Sequence, residues 1–286
     1  MSDGVPPIAP LPVTVVVPTR NEEANLDACL SRLGAFAEVW VVDSRSTDGT
    51  RTIADRYGAR WIDFDWSGDF PKKRNWVLTN HAPTTPWVLF LDADERVTEQ
   101  FIAELRDILP QEPAMRIGGF WLNYNNHFMG RVLRHGVPQR KLALFRTGAG
   151  QYERIDDRRW SNLDMEVHEH PVLEGTIGEI SAPIDHLDYR GIDHYLARHN
   201  AYATWEARRY ADLLTRGDAA WAALTPRQRT KYRNLTRWWF APGYFVGTYF
   251  LKLGFLDGGA GFHHAFLKML YFYEIRLKII GARRTD

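Results

Sequence analysis

The sequence predicts an α/β fold, a mostly parallel sheet flanked by helices, followed by a helical C-terminal extension. Three observations predict it. Through Leu109, short apolar and β-branched runs alternate with stretches of helical spacing. The runs are apolar at consecutive positions, as in strands covered on both faces. From Ile192 the β pattern stops and helical spacing takes over.

Met1 to Pro12 is Pro-rich, with no basic residues ahead of an apolar run, and reads as a short disordered lead-in, not a signal peptide. Val13 to Val17 is the first strand, cut off by Pro18. Glu23 to Leu33 is a helix with Leu26, Leu30 and Leu33 on one face. Val39 to Val42 is the second strand, ending at Asp43. Asp48 to Tyr57 is a helix with Ser46 or Thr47 as cap. Trp61 to Phe64, Lys72 to Asn80, Trp87 to Leu91 and Phe101 to Leu109 continue the alternation as strand, helix, strand, helix. Gly118 to Phe145 reads as further strands and loops, Val172 to Leu187 as two short β segments, and Ile192 to Arg216 as a helix. The expected organisation is a lead-in at 1–12, an α/β domain at 13–190 and a helical region at 191–286.

At 286 residues the chain has room for one large domain with an appendage. Its single cysteine, Cys29, excludes a disulfide framework and a cysteine-based metal site within one chain, and reads as inert packing. The net charge of +1 hides an asymmetry. Residues 226–286 hold eleven Lys/Arg against three Asp/Glu, an excess of eight positive charges, so the rest of the chain carries seven net negative ones. The two parts are expected to face different partners.

A sheet of this class binds ligands outside the carboxyl ends of its strands. Three strands end there in polar clusters: Thr19-Arg20-Asn21-Glu22, Asp43-Ser44-Arg45-Ser46 and Asp92-Ala93-Asp94-Glu95. Asp92 and Asp94, one residue apart, are suited to hold a divalent ion through oxygen, Mg²⁺ or Mn²⁺, shared with substrate phosphates. The competing reading is helix capping, since a helix follows Glu95 to Thr98. Asp43 can accept hydrogen bonds from a base or ribose, while Ser46, Thr47 and Asp48 serve equally as caps. Lys72, Lys73 and Arg74 open a helix after Pro71, where cations oppose the helix dipole unless an anion lies nearby. For Lys72 the expectation is a solvated basic patch. Glu166-Val167-His168-Glu169 places Glu166 and His168 on one face of an extended segment. A carboxylate there can take a proton from an acceptor hydroxyl, with His168 orienting it or completing a metal shell; Glu166 and Glu169 are not separable.

Together these motifs resemble the family 2 glycosyltransferases, which have the GT-A fold. The resemblance is carried by Val15-Val16-Val17-Pro18-Thr19-Arg20-Asn21-Glu22-Glu23, by Val41 to Thr50, and by Leu89-Phe90-Leu91-Asp92-Ala93-Asp94-Glu95, over roughly the first third of the chain. Lys73-Arg74-Asn75, Val167-His168-Glu169 and the stretch Gly254 to Phe262 are similar to the bacterial lipopolysaccharide-core β-glucosyltransferase subgroup. The resemblance implies a donor site of Thr19, Asn21, Glu22, Asp43, Ser46, Arg74, Asp92 and Ala93. It implies a metal held by Asp94 with Asp92 and His168, and Glu169 in the place of the base, with Glu166 and His168 beside it. It implies an inverting, metal-dependent hexosyltransferase that moves one sugar from a nucleotide diphosphate, a UDP-sugar as expected donor, to a membrane-linked glycan such as lipopolysaccharide core. The alternatives are transfer to a polyprenyl phosphate or a lipid-linked oligosaccharide and, from another class, a catalytically silent membrane scaffold. The chain departs from the family in having Asp43-Ser44 where many members have two acidic residues, and Val-His-Glu where many have Glu-Asp. It has no Gln-x-x-Arg-Trp, the signature of processive synthases.

The tail is aromatic and basic. Trp238-Trp239-Phe240, Tyr244-Phe245, Tyr249-Phe250-Leu251 and Phe255-Leu256 crowd one stretch, broken by Pro242 and several glycines, too short for the ~20 residues of a spanning helix. The mixture suits the headgroup zone of an anionic membrane, so the expected location is cytoplasmic, peripheral on the inner membrane. Packing on the domain or dimerisation would use the same residues. Nucleic acid is not an expected partner, because no binding module accompanies them.

Overall fold

The computed structural model describes residues 9–81, 83–111, 116–157, 160–161, 164, 170–188 and 190–282. The chain forms two compact units, one of residues 1–125, 139–156 and 162–186, the other of residues 126–138, 157–161 and 187–286.

The first unit contains β1 (Leu11–Thr19), α1 (Glu23–Leu30), β2 (Phe36–Asp43), α2 (Thr50–Arg56), β3 (Arg60–Asp63), α3 (Lys73–Asn80), β4 (Trp87–Phe90), β5 (Glu95–Arg96) and α4 (Glu99–Ile108). It continues with most of β6 (Ile117–Phe128). The short β7 (Arg131–Leu133) pairs with the last residues of β6 in the second unit. The chain then supplies β8 (Arg140–Arg146), β9 (Gly150–Tyr152), β10 (Pro171–Leu173) and β11 (Thr176–His186) to the first unit. The main sheet runs in the order β3-β2-β1-β4-β8-β6-β11-β5.

The four strands anticipated from sequence are parallel neighbours. The other half is antiparallel where β8 meets β4 and β6, so the sheet is mixed rather than mostly parallel. The difference lies in the connections: parallel neighbours need crossover helices, and no helix separates β6 from β8.

β1 shows why it carries valines at both odd and even positions. Val13, Val15 and Val17 face a cluster with Leu26, Cys29 and Leu30 of α1 and Phe101 of α4. Val16 faces a second cluster with Val42, Ile62 and Val77 of α3. Both faces are covered, and Cys29 is fully buried, with burial pushing its thiol up. β1 also runs through Pro18 to Thr19 instead of stopping. Its pairing with β4 ends at Val16 opposite Phe90, so the missing N–H of Pro18 falls outside the paired stretch on that side.

The second unit holds α5 (Ile192–Arg216), α6 (Asp218–Ala222), α7 (Pro226–Asn234), α8 (Phe240–Val246) and α9 (Gly258–Ala282). Tyr210 and Leu213 of α5, Tyr232 of α7 and Ile275 and Ile279 of α9 share one core. Thr225 starts α7 with a capping box, accepting from the Gln228 N–H while the Gln228 side chain accepts from the Thr225 N–H. Among the described residues, no helix is long and apolar enough to cross a membrane.

Candidate active site

The carboxyl ends of β1 and β2 lie side by side, with Thr19 in register with Asp43. Asp43 is 1% exposed and ties the rim together. It accepts from Thr19 Oγ1 at 2.8 Å, from the Ser46 N–H at 2.6 Å and from Ser46 Oγ at 2.5 Å. Ser46 Oγ in turn accepts from the Asn21 N–H at 2.7 Å, and Asn21 Oδ1 accepts from the Thr47 N–H at 2.8 Å. Asn21 and Arg45 both hold φ near +55°, where Asn is tolerated and most residues are strained. Two loops far apart in sequence are thus stitched into one surface. Ser46 does this work instead of capping α2, whose N-cap is Gly49. Glu22 is fixed through its N–H, which donates to Thr50 Oγ1 at 2.9 Å.

Consecutive residues of α3 join this rim to the end of β4. Lys73 Nζ donates to the Thr19 carbonyl at 2.9 Å and lies 3.6 Å from Asp164, which also accepts from Ser44 Oγ. Burial lowers the Lys73 pKa, opposed by Asp164 and Asp43. Arg74 donates to Asp92 Oδ1 at 2.8 Å and lies over the Tyr152 ring at 5.3 Å. The cations that oppose the α3 dipole are therefore met by the protein's own carboxylates. Lys72, expected in a solvated patch, is 5% exposed, because this turn of α3 packs into the rim. Asn75 is structural: its amide clamps the Tyr152 backbone, donating at 3.0 Å and accepting at 2.8 Å.

Asp92 has both oxygens engaged. Oδ1 takes Arg74, and Oδ2 takes Lys141 Nζ at 2.6 Å. Lys141 also contacts Glu95, which is wholly buried and accepts from the Asp92 N–H at 3.1 Å. Burial opposes ionisation of Asp92, but Lys141 and then Arg74 outweigh it and hold the carboxyl well below the usual range. Burial pushes Glu95 upward against the pull of Lys141. Ala93 is buried in the core cluster. The following helix is capped by Thr98, which accepts from the Phe101 N–H at 3.1 Å. The two aspartates are thus not its cap.

Asp94 meets His186, the last residue of β11, with Oδ1 3.8 Å from Nε2. Gln139 Oε1 is 3.2 Å from His186 Nδ1. A Gln139 oxygen in that place accepts a proton carried on Nδ1, which is the tautomer in which Nε2 can serve a metal. Two ligands on one divalent ion lie roughly 3–4 Å apart, so this pair fits such an ion. Glu166, His168 and Glu169 lie outside the described residues.

Sequence reasoning missed Lys141, Asp164 and His186. His186 carried a signal, since like Asp43 and Asp92 it ends a β run with a polar group. Lys141 precedes the apolar run Leu142-Ala143-Leu144-Phe145, and only the strand order brings it to Asp92. Asp164 has no pattern around it.

Residues 14–166 match the family model described as Glycosyl transferase family 2. Over 284 residues the chain is 28% identical to a lipopolysaccharide core biosynthesis glycosyltransferase, LpsC of Rhizobium meliloti, covering 93% of this chain and 94% of that protein. It is 23% identical to an uncharacterized glycosyltransferase of Rickettsia bellii, covering 96% of this chain and 90% of that one. Among solved structures, a mannosyltransferase of Pyrobaculum calidifontis in complex with GDP-Man and Mn²⁺ is similar over 96% of this chain and 90% of that one, at a TM-score of 0.49 and 18% identity.

Proposed function

We infer from membership of glycosyl transferase family 2, to which this chain belongs, that it moves one sugar from a nucleotide diphosphate, a UDP-sugar, to a glycan on a membrane lipid such as lipopolysaccharide core. The observation that carries this reading is the single rim made by Thr19, Asn21, Asp43 and Ser46 with Arg74 and Asp92, at the strand ends where this sheet class binds ligands. The relative LpsC supports the acceptor class. We assign catalysis to residues 13–190 and membrane contact on the cytoplasmic face to residues 191–286.

In this reading the Asn21, Glu22 and Ser46 loops hold the nucleoside, with Asp43 and Thr19 keeping them in place. Arg74 serves the diphosphate through its planar fork. Asp94 and His186 would hold Mn²⁺ or Mg²⁺, with His186 taking the part expected of His168. When bound, the ion supplies positive charge against the leaving diphosphate. The acceptor oxygen bonds to the anomeric carbon as the bond to the diphosphate oxygen breaks. The electron pair leaves on the nucleotide, and the hydroxyl proton passes to Glu169, or to Glu166 if the base lies there. One displacement inverts the anomeric centre.

The test is a screen of nucleotide diphosphate sugars for thermal stabilisation, with and without Mn²⁺. A UDP-sugar that raises Tm only with the ion is the expected result. No stabilisation by any nucleotide sugar would remove the reading and favour a scaffold.

A further inference from the structure

The second unit keeps a long apolar surface in contact with solvent. On α9, Phe262, Phe266, Leu270, Tyr273 and Leu277 are exposed and recur every three or four residues, one stripe about 22 Å long. The other side of the helix is buried through Ala265, Ile275 and Ile279. The stripe continues into the turn before α9. Phe262 lies 5.6 Å from Tyr249, which lies 5.0 Å from Phe250 and 6.2 Å from Phe255 between ring centres. Leu251 at 79% and Leu256 at 56% exposure project from the same turn, and Trp238 at 73% stands just before α8.

The turn is held rigidly. A Cβ on Gly254 would come within 2.8 Å of the Thr248 carbonyl, and one on Gly261 within 2.1 Å of the Gly254 carbonyl. The Asp257 carboxylate accepts from the backbone N–H groups of Arg134 at 3.2 Å and His135 at 2.9 Å. The glycine-rich stretch Gly254 to Phe262 thus builds a corner that presents apolar side chains outward.

We propose that this face is the surface by which the protein lies on an anionic lipid bilayer. It deepens the reading of a membrane-linked acceptor and rests on that reading for its purpose. Charge selects the occupant. Arg233, Arg237 and Lys252 are exposed and form no ion pair with any described residue. The two described carboxylates of the tail are engaged, Asp257 with His135 and Glu274 with Lys278. A second copy on this face would bring the same cations, and the described carboxylates of its tail are already engaged, whereas anionic headgroups neutralise the cations. Trp238, Trp239 and Tyr273 suit the headgroup zone, and no described helix is able to span.

The experiment is flotation of the full chain with phosphatidylcholine vesicles, with and without phosphatidylglycerol. The wild type floats with the anionic vesicles. Phe250→Ser with Leu251→Ser and Leu256→Ser lowers partitioning by about tenfold per side chain. Arg237→Glu with Lys252→Glu lowers it at least about fivefold per site, on anionic vesicles only. Both variants keep the thermal stabilisation by UDP-sugar and Mn²⁺ seen in the wild type, since no altered residue lies in the rim. The proposal is overturned if the wild type ignores anionic vesicles, if the triple variant floats equally well, or if sedimentation shows a wild-type dimer that the triple variant splits. A wild type that floats yet binds no nucleotide sugar strikes the glycosyl-transfer reading and leaves the lipid surface standing.

Discussion

Replacing Lys141 by Met tests the charge balance behind the rim. The Lys141 ammonium is 2.6 Å from Asp92 Oδ2 and in contact with Glu95, whose side chain is 0% exposed. At an effective dielectric constant of about 20, the 2.6 Å pair alone attracts by about 6 kcal/mol. Most of that repays the desolvation of the ions, so the pair's net worth is small. Removing one partner is different, because the desolvation remains and its compensation is gone. Lys141→Met leaves Glu95 and Asp92 beside each other, with Arg74 still 2.8 Å from Asp92. The expected loss is about 3–5 kcal/mol of unfolding free energy, read from urea denaturation followed by circular dichroism at neutral pH. Glu95→Gln removes one of the stranded carboxylates. In the double variant the two losses therefore sum to less than the separate ones, by about 1–3 kcal/mol. A Lys141→Met loss below about 1 kcal/mol, or additivity within about 0.5 kcal/mol, would refute the argument.

Asp94→Ala should remove the Mn²⁺ dependence of UDP-sugar binding in a thermal-shift titration, and donor binding that keeps that dependence would exclude Asp94 as the ligand. Gln139→Leu, which frees the His186 Nδ1 proton, should weaken apparent Mn²⁺ affinity by roughly 10–100-fold while His168→Gln does not; the reverse ranking would return the ligand role to His168. Glu169→Gln should leave donor binding intact and slow transfer severely, and if Glu166→Gln does so instead the base is Glu166. Asp257→Asn should cost about 1–3 kcal/mol at neutral pH. Burial opposes ionisation of Asp257, but hydrogen bonds from His135 and from the backbone lower its pKa in the folded chain. Its contribution is therefore present above the usual carboxylate value of about 4 and lost as pH falls through the lower folded value. The gap between wild type and variant should close in acid, as urea midpoints measured down the pH scale will report.

The parallel half of the sheet was legible because each of its strands carries its own signal. Val13 to Val17 is β-branched and buried on both faces, and the polar residue after each run marks its carboxyl end. The antiparallel half was less legible because Arg140 to Arg146, an apolar run between basic residues, takes its meaning from its neighbours: nothing local says that Lys141 lies against Asp92. The rim followed the same rule. Asn21, Asp43 and Asp92 were found because strand ends converge in this fold class. Asp164 and Lys141 were not, because their contacts span 120 residues to Ser44 and 49 residues to Asp92. Lys72 misled for the opposite reason. A basic run at a helix start reads as solvated unless buried acids elsewhere are known to answer it. Ile192–Arg216 shows the favourable case, where twenty-five residues of helical spacing need no long-range information.

The same charges bear on whether an ion is needed. Asp92 and Glu95 face Lys141, Asp92 also faces Arg74, and Arg74 and Lys141 already occupy both oxygens of Asp92, while Asp94 stands beside His186. Three carboxyl groups meet two cations, Glu95 only partly ionised because burial pushes it up to about 7, and a nucleotide diphosphate brings about two more negative charges. Like charges in a partly desolvated site cost several kcal/mol. In the proposed reading a cation accompanying the donor would relieve this charge, and Asp94 with His186 is a pair placed to hold one. Asp92 is left as the anchor that keeps Arg74 and Lys141 in place. This division of labour makes a sharp expectation for Asp92→Asn. It should loosen Arg74 and Lys141 and weaken donor binding at every Mn²⁺ concentration, whereas Asp94→Ala should match the wild type measured without the ion. If Asp92→Asn is instead rescued by raising Mn²⁺, Asp92 is itself a ligand and the two roles are not divided.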